Sequence, residues 1–315
     1  MGERCVASAK VAVITGATSG IGLAVARQLA ARGFRLVCVG RSALRCAEAQ
    51  AALRALAPGG RVDFLVADLG SQRQVRALAA EIRTLLEGEQ NRIDLLIHCA
   101  GTVSAWYVAT EDGYETTFAV NHLAPFLLTR ELLPLLKRSG AARVITTSSG
   151  SHYRTRMRWR DVMHRTRYGC LAVYKQSKLA NVLFANELNR RLRPTSGIRS
   201  FAVDPGLVDT AIGEKGTSVV VRWFWRMRRR KGVSPDQAAA TFVHLATCLC
   251  REDDRASYWK ECRPCRPSPY AERQDAMLRL WELSERLCSP ARPFNGSSVR
   301  EEDRATETVD GTIGA

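Results

Sequence analysis

Tyr174 and Lys178 stand four residues apart in a stretch of helical periodicity. That spacing sets a phenol and an ammonium side by side on one helix face. Hydride transfer to a carbonyl carbon builds negative charge on its oxygen, so a proton donor must wait there. A phenol can serve, but its ordinary pKa is about 10. A neighbouring ammonium stabilises the phenolate and brings that value toward working pH. Ser149 follows an apolar run and could hold and polarise the same oxygen. Its neighbour Ser148 would face the other way in a continuing strand, so pattern alone leaves the choice between them open. Asn121 lies in a helical stretch although Asn is a poor helix former. Its side chain, or its backbone carbonyl at a local break, could hold a water that relays protons to Lys178. The alternative is an ordinary buried amide bonded to nearby backbone. Taken alone, Tyr-x-x-x-Lys is also a common surface pair.

The segment Thr15-Gly-Ala-Thr-Ser-Gly-Ile-Gly22 gives the group a cofactor. Gly16, Gly20 and Gly22, with Thr18, Ser19 and Ile21 between them, join a β-branched run to a helical one. Glycines there permit a tight turn and close approach of backbone to a pyrophosphate, which the helix N-terminus then attracts. The spacing is Gly-x-x-x-Gly-x-Gly, not Gly-x-Gly-x-x-Gly, and such a turn can also serve geometry alone. The second strand ends Val39-Gly40-Arg41-Ser42, with no acid to grip a ribose 2′-hydroxyl. Arg41 can meet a 2′-phosphate instead, which favours NADP(H) over NAD(H). Asp68 could accept a bond from the adenine amino group, or simply cap the next helix.

Strands are expected at 10–15, 35–39, 62–67, 93–98, 143–147, 198–203 and 256–259. Helices are expected at 21–32, 43–56, 71–86, 114–137, 171–191, 235–250 and 271–287. Pro125 and Pro134 predict a break within 114–137. This alternation with short connections predicts an α/β fold: one Rossmann-type, doubly wound parallel sheet with helices on both faces. A single domain should span 1–288, with substrate loops at about 150–171 and 207–234. Residues 289–315 form a polar tail expected to be disordered.

The chain of 315 residues is 46% hydrophobic, enough for a sizeable core. No run of about 18 apolar residues predicts a membrane span, and residues 1–10 lack a signal-type run. A reducing, cytoplasmic setting is the expectation. The net charge of +16 is uneven, concentrated at 154–167 and 222–231. It reads as a solvated basic face, or as a surface for an acidic cofactor or an anionic membrane. No recognised nucleic-acid module accompanies it. Cys248, Cys250, Cys262 and Cys265 could supply zinc thiolates. Cys-x-Cys is atypical and no His joins them, so free thiols and no metal are expected. Asn295-Gly-Ser297 matches a glycosylation sequon by chance composition.

Together, Thr15-Gly-x-x-x-Gly-x-Gly22, Asp68, Asn121, Ser149 and Tyr174-x-x-x-Lys178 resemble the short-chain dehydrogenase/reductase family, over about residues 10–287. The segments 120–129 and 174–184, the 25-residue separation of Ser149 from Tyr174, Pro267-Ser-Pro269 and Leu280-Trp-Glu-Leu-Ser284 resemble its retinol dehydrogenase-like members. The resemblance implies hydride transfer between NADP(H) and an apolar carbonyl or alcohol. It assigns Asn121, Ser149, Tyr174 and Lys178 to catalysis, with Ser149, not Ser148, on the substrate and Lys178 also on the nicotinamide ribose. It adds Leu69, Ala100, Gly101, Pro205, Gly206 and Thr210 to the cofactor contacts. It also implies a homodimer through the helices carrying Asn121 and Tyr174. Cys99-Ala-Gly101 departs from the usual Asn-Ala-Gly, which touches local order more than chemistry.

Trp223, Phe224 and Trp225 among arginines in 219–231 could form an apolar lid, a packed helix, or a peripheral membrane contact. Two further readings are a catalytically weak NADP-binding scaffold and a nucleic-acid binder. The intact Ser149, Tyr174 and Lys178 speak against the first. The absence of a binding module speaks against the second.

Overall fold

The computed structural model describes residues 9–57, 61–88, 90–208, 233–248 and 256–289. Thr210, segment 219–231, Cys250, the 295–297 sequon and the tail after 289 lie outside these residues, as does most of the 207–234 loop.

Eight strands form one sheet: β1 Val11–Thr15, β2 Arg35–Gly40, β3 Val62–Val66, β4 Leu95–His98, β5 Arg143–Thr147, β6 Arg199–Asp204, β7 Tyr258–Lys260 and β8 Arg263–Pro264. Their order is β3-β2-β1-β4-β5-β6-β7-β8. The first seven run parallel, and β8 turns back antiparallel on β7. The chain leaves β1 toward β2 and β3, then returns across β1 to β4. That reversal opens a crevice beyond the carboxyl ends of β1 and β4, where such sheets bind ligands.

β1 is buried along its whole length, as a parallel strand covered on both faces must be. Val11 and Val13 enter one core while Ala12 and Ile14 enter the other. Helices α1 (Gly20–Ala30), α2 (Ala43–Ala55) and α6 (Pro235–Thr247) supply the second face. Helices α3 (Gln72–Leu86), α4 (Ala124–Arg138), α5 (Cys170–Ser196) and α7 (Gln274–Leu287) supply the first.

Several boundaries differ from the sequence expectation. The 114–137 stretch is helical without interruption from Thr116 to Arg138, but it is not regular α-helix throughout. A short turn at Thr116–Phe118 leads into a π-helical turn at Ala119–Leu123, and α4 begins after it. The irregularity therefore precedes Pro125, whose missing N–H takes from the Asn121 carbonyl its donor four residues on. Pro134 lies inside α4 without ending it. α5 runs five residues beyond the expected Arg191 and stops where Gly197 adopts φ 65°. α6 ends at Thr247, short of the expected Cys250. β8 was not foreseen: Glu261 and Cys262 take φ 49° and 59° to make the turn, where glycine or asparagine would be the usual signal.

Candidate active site

Each parallel strand from β1 to β6 ends in a segment singled out by its sequence. Thr15 leads into 16–22, Gly40 into Arg41, Val66 into Asp68 and Leu69. His98 leads into Ala100 and Gly101, Thr147 into Ser148 and Ser149, and Asp204 into Pro205 and Gly206. The topology thus gathers these residues along one edge of the sheet; Thr210 falls outside the described chain.

The glycine turn is shaped for close contact. Gly16 takes φ 69° and Gly20 φ 54°, conformations that side chains resist. A Cβ on Gly16 would lie 2.8 Å from the Ala100 backbone, and one on Gly22 would overlap the Gly16 carbonyl. Ala17 N–H donates to Val39 O at 3.1 Å, and Ala100 N–H to Thr15 Oγ1 at 3.3 Å, so the turn is fixed to both neighbouring strands. Ser19 caps α1 without a side-chain bond, and the first turn of α1 carries no acid. Its N–H groups and positive partial charge therefore remain for an anion.

Arg41 is exposed beyond β2, next to Ser42, whose hydroxyl accepts from Arg45 N–H at 3.5 Å to cap α2. Asp68 Oδ1 accepts from Gly70 N–H at 2.9 Å. The cap of α3 is Ser71, which accepts from Gln74 N–H at 3.2 Å, so that role does not fall to Asp68. Gly206 takes φ 77° and donates its N–H to Asp204 Oδ1 at 3.0 Å.

Lys178 is 4% exposed, and its Nζ donates to Thr147 O at 3.2 Å. The same Nζ lies 5.5 Å from the centre of the Tyr174 ring. Burial pulls the lysine down to about 8, while neighbouring Cys99 acts in the opposite direction. A three-donor ammonium with one backbone acceptor suits a site that receives further acceptors from a ligand. Burial holds the Cys99 thiol up at about 12, so it is a neutral neighbour of Lys178.

The two serines part company. Ser148 is buried and donates its hydroxyl to Lys178 O at 2.9 Å, fastening α5 to β5. Ser149 is half-buried, and its Oγ accepts from Ser151 N–H at 3.2 Å within the turn Gly150–His152. Its hydroxyl proton is not consumed by that bond.

The Asn121 side chain is fully engaged. Oδ1 accepts from Thr102 N–H at 2.8 Å, and Nδ2 donates to Thr102 O and to Ser177 Oγ, each at 3.0 Å. Ser177 passes the link to Tyr174 O at 2.8 Å. The amide therefore ties the β4 loop to the helix of Tyr174 and Lys178. Of the three readings open in the sequence, a side-chain water site conflicts with these bonds, and the side chain itself is a buried amide bonded to nearby backbone. The backbone carbonyl lies in the π-helical turn, where Ala124 N–H reaches back five residues to Ala119 O. Four residues beyond Asn121 is Pro125, which has no N–H to offer that carbonyl. π-Turns of this kind recur at functional sites.

Sequence reasoning missed three supporting groups. Asn181 Nδ2 donates to Thr147 O at 3.0 Å beside Lys178. Asp204 accepts from Tyr258 OH at 3.2 Å. His152 is wholly buried and bonded to Ser149 O. Asn181 lies one turn beyond Lys178, which was a usable signal. Nothing local announced Tyr258, which is remote in sequence. Among the described residues, no three His, Cys, Asp or Glu side chains gather as a metal site, and no described helix is long and apolar enough to cross a membrane.

The family model for short chain dehydrogenases matches residues 10–218. Mouse retinol dehydrogenase 12 is 37% identical over 275 residues, covering 87% of this chain and 85% of that protein. Human retinol dehydrogenase 13 is 35% identical over 302 residues, covering 93% and 87%. Among solved structures, a Mycobacterium paratuberculosis protein superposes with TM-score 0.70 at 31% identity, covering 89% of this chain and 93% of that one. A short-chain dehydrogenase from Sphingobium yanoikuyae in complex with NADPH gives TM-score 0.58 at 26% identity, covering 74% and 82%.

Proposed function

The chain belongs to the short-chain dehydrogenase family, in its retinol dehydrogenase-like branch, and on that premise we propose an NADP(H)-dependent oxidoreductase acting on an apolar carbonyl or alcohol. The observation that carries this reading is the convergence of the glycine turn, Ser149, Tyr174 and Lys178 at one edge of the sheet.

When bound, the nicotinamide supplies or accepts the hydride. The chain's own residues do the rest. The N–H groups at the start of α1 and the bare backbone of Gly16 and Gly22 receive the pyrophosphate. Arg41 meets the 2′-phosphate, and Asp68 the adenine, with Leu69, Ala100, Gly101, Pro205, Gly206 and Thr210 as further contacts. Lys178 holds the ribose hydroxyls and stabilises the phenolate left when Tyr174 gives up its proton. Ser149 donates to the substrate oxygen and so orients it toward the phenol. The Asn121 carbonyl holds the water that returns a proton to Lys178.

The apolar substrate class is favoured by the relatives' names and by exposed Trp106, Val108 and Leu171. Trp106 and Val108 lie in the loop after β4, and Leu171 stands one turn before Tyr174 on α5. Cys38, Cys46, Cys99, Cys170, Cys262, Cys265 and Cys288 are free thiols, which favours a reducing, cytoplasmic setting. Peripheral contact with an anionic membrane belongs to the same proposal, through the exposed Arg154, Arg156 and Arg167 as well as segment 219–231. A homodimer through α4 and α5 would have to accommodate α7, which lies on α5 and bonds His122 through Ser284.

A screen of NADPH consumption over aldehydes, ketones, retinoids and steroids tests the reading, with Tyr174→Phe as control. That substitution should abolish turnover and leave NADPH affinity within about twofold, since the phenol acts in the transition state. Loss of nucleotide binding together with activity would make the phenol structural and refute its assigned role.

A further inference from the structure

We propose that His152 is a positioning residue for Ser149: as a neutral imidazole it clasps the Ser149 turn to the C-terminal segment at Ser268, and protonation opens the clasp. The inference rests on the oxidoreductase reading, because it gives His152 a role toward the hydroxyl that orients the substrate.

The ring has no solvent exposure. Nδ1 lies 2.8 Å from Ser149 O, and the His152 backbone N–H reaches the same carbonyl at 3.1 Å. On the far side, Ser268 N–H points at Nε2 from 3.0 Å. A carbonyl only accepts and a peptide N–H only donates. The ring must therefore carry its hydrogen on Nδ1 and a lone pair on Nε2. The other neutral tautomer would set a lone pair against the Ser149 oxygen and an N–H against an N–H. The cation repeats the second conflict. One protonation state of three fits both partners.

Two tyrosine rings also pack against the imidazole at tilted angles. The Tyr153 and Tyr258 rings lie with centroids 4.2 and 4.8 Å away. Tyr153 OH in turn bonds Arg266 O, two residues before Ser268. The turn after β5 is thus tied to 266–268 by two successive side chains.

The charged groups around the ring are few. Asp204, bonded to Tyr258 OH, favours the imidazolium, as does the bond to Ser149 O. Burial opposes both and prevails, so the His152 pKa lies below its ordinary value. Lys260 and Cys265 reach this corner through Tyr153. The clasp is accordingly closed at neutral pH and opens on acidification.

Two variants separate positioning from mere structure. His152→Phe keeps a ring but removes both bonds. His152→Gln keeps a donor and an acceptor without a titrating group. With decanal and NADPH, His152→Phe should lower kcat about a hundredfold, the scale of a misplaced orienting group, with KM and the NADPH Kd changed less than about threefold. His152→Gln should recover about a tenth or more of wild-type kcat and lose the acid limb that His152 gives the wild-type profile. Hydrogen exchange at the Ser268 amide, read in the free protein, should speed up in His152→Phe and, for wild type, as pH falls.

An acid limb retained in His152→Gln would overturn the proposal. So would unchanged Ser268 exchange in His152→Phe, or a kcat loss matched by equal loss of NADPH affinity. Absence of turnover by the wild type on any carbonyl or alcohol would overturn the oxidoreductase reading alone, and Ser268 exchange would still decide the clasp.

Discussion

Lowering the pH from 7 to 5 should remove about 4 kcal/mol of folding stability through two buried histidines alone. His98 contacts Thr129 Oγ1 at 3.0 Å through Nε2, and burial pulls its pKa down to about 3. His122 sits between Ser284 Oγ at 2.9 Å and Asn181 Oδ1 at 3.4 Å, and burial pulls it down to about 4. In the unfolded chain each returns to about 6.5. A depressed folded pKa means that this stability is present above the unfolded value and is lost as pH falls toward 4 and 3. At pH 5 nearly every unfolded imidazole holds a proton and almost no folded one does, which costs about 2 kcal/mol per histidine. His152 and His164, also lowered by burial, act in the same direction. Glu115 opposes them, because burial raises its pKa and the fold takes up that proton first. Urea unfolding at pH 7, 6 and 5 and constant ionic strength reads the effect. Near pH 5 the slope should correspond to uptake of about two protons on unfolding, or more with the other two histidines. His122→Gln should remove about one of them. Stability that stays level between pH 7 and 5, or a slope untouched by His122→Gln, would refute the assignment of these side chains as buried neutral groups.

Three further outcomes follow from the site. Gly22→Ala sets a methyl against the Gly16 carbonyl, so NADPH affinity, read by nucleotide fluorescence, should fall more than about tenfold while the fold persists; unchanged affinity would remove the turn from the cofactor site. Ser148→Ala deletes a buried bond to Lys178 O and should cost about 1 kcal/mol in urea unfolding. Ser149→Ala should instead lower kcat about a hundredfold with stability intact, and a reversal of this pair would exchange their roles. Arg41→Ala should weaken NADP⁺ binding about ten- to a hundredfold and leave NAD⁺ unaffected; equal loss for both nucleotides in calorimetry would place the arginine away from the 2′-phosphate.

The alternating architecture was legible because the buried strands are short apolar runs and most helices start or stop at Ser, Gly or Pro; α7, flanked by Arg273 and Cys288, is an exception. The glycine turn and the Tyr174–Lys178 pair were legible because their spacing is local. A break was expected from the prolines, yet the helix continues and its irregularity lies on the N-terminal side of Pro125, where an extra residue is accommodated as a π-turn. Periodicity does not encode that shift. Ser148 and Ser149 could not be told apart by pattern, since the distinction lies in a bond to a helix 30 residues away. His152 and Tyr258 stayed hidden for a related reason: their partners, Ser268 and Asp204, are 116 and 54 residues distant.

The order of the strands has a consequence for how a ribosome delivers this protein. The phosphate cradle is built from the first hundred residues, and Tyr174 and Lys178 join it from mid-chain. Strand β7 and Ser268, which complete the wall behind Ser149, are translated only after both. Chains generally fold from the amino end as they emerge. A nascent polypeptide would therefore have made its phosphate cradle before the segment that locks its serine has left the ribosome.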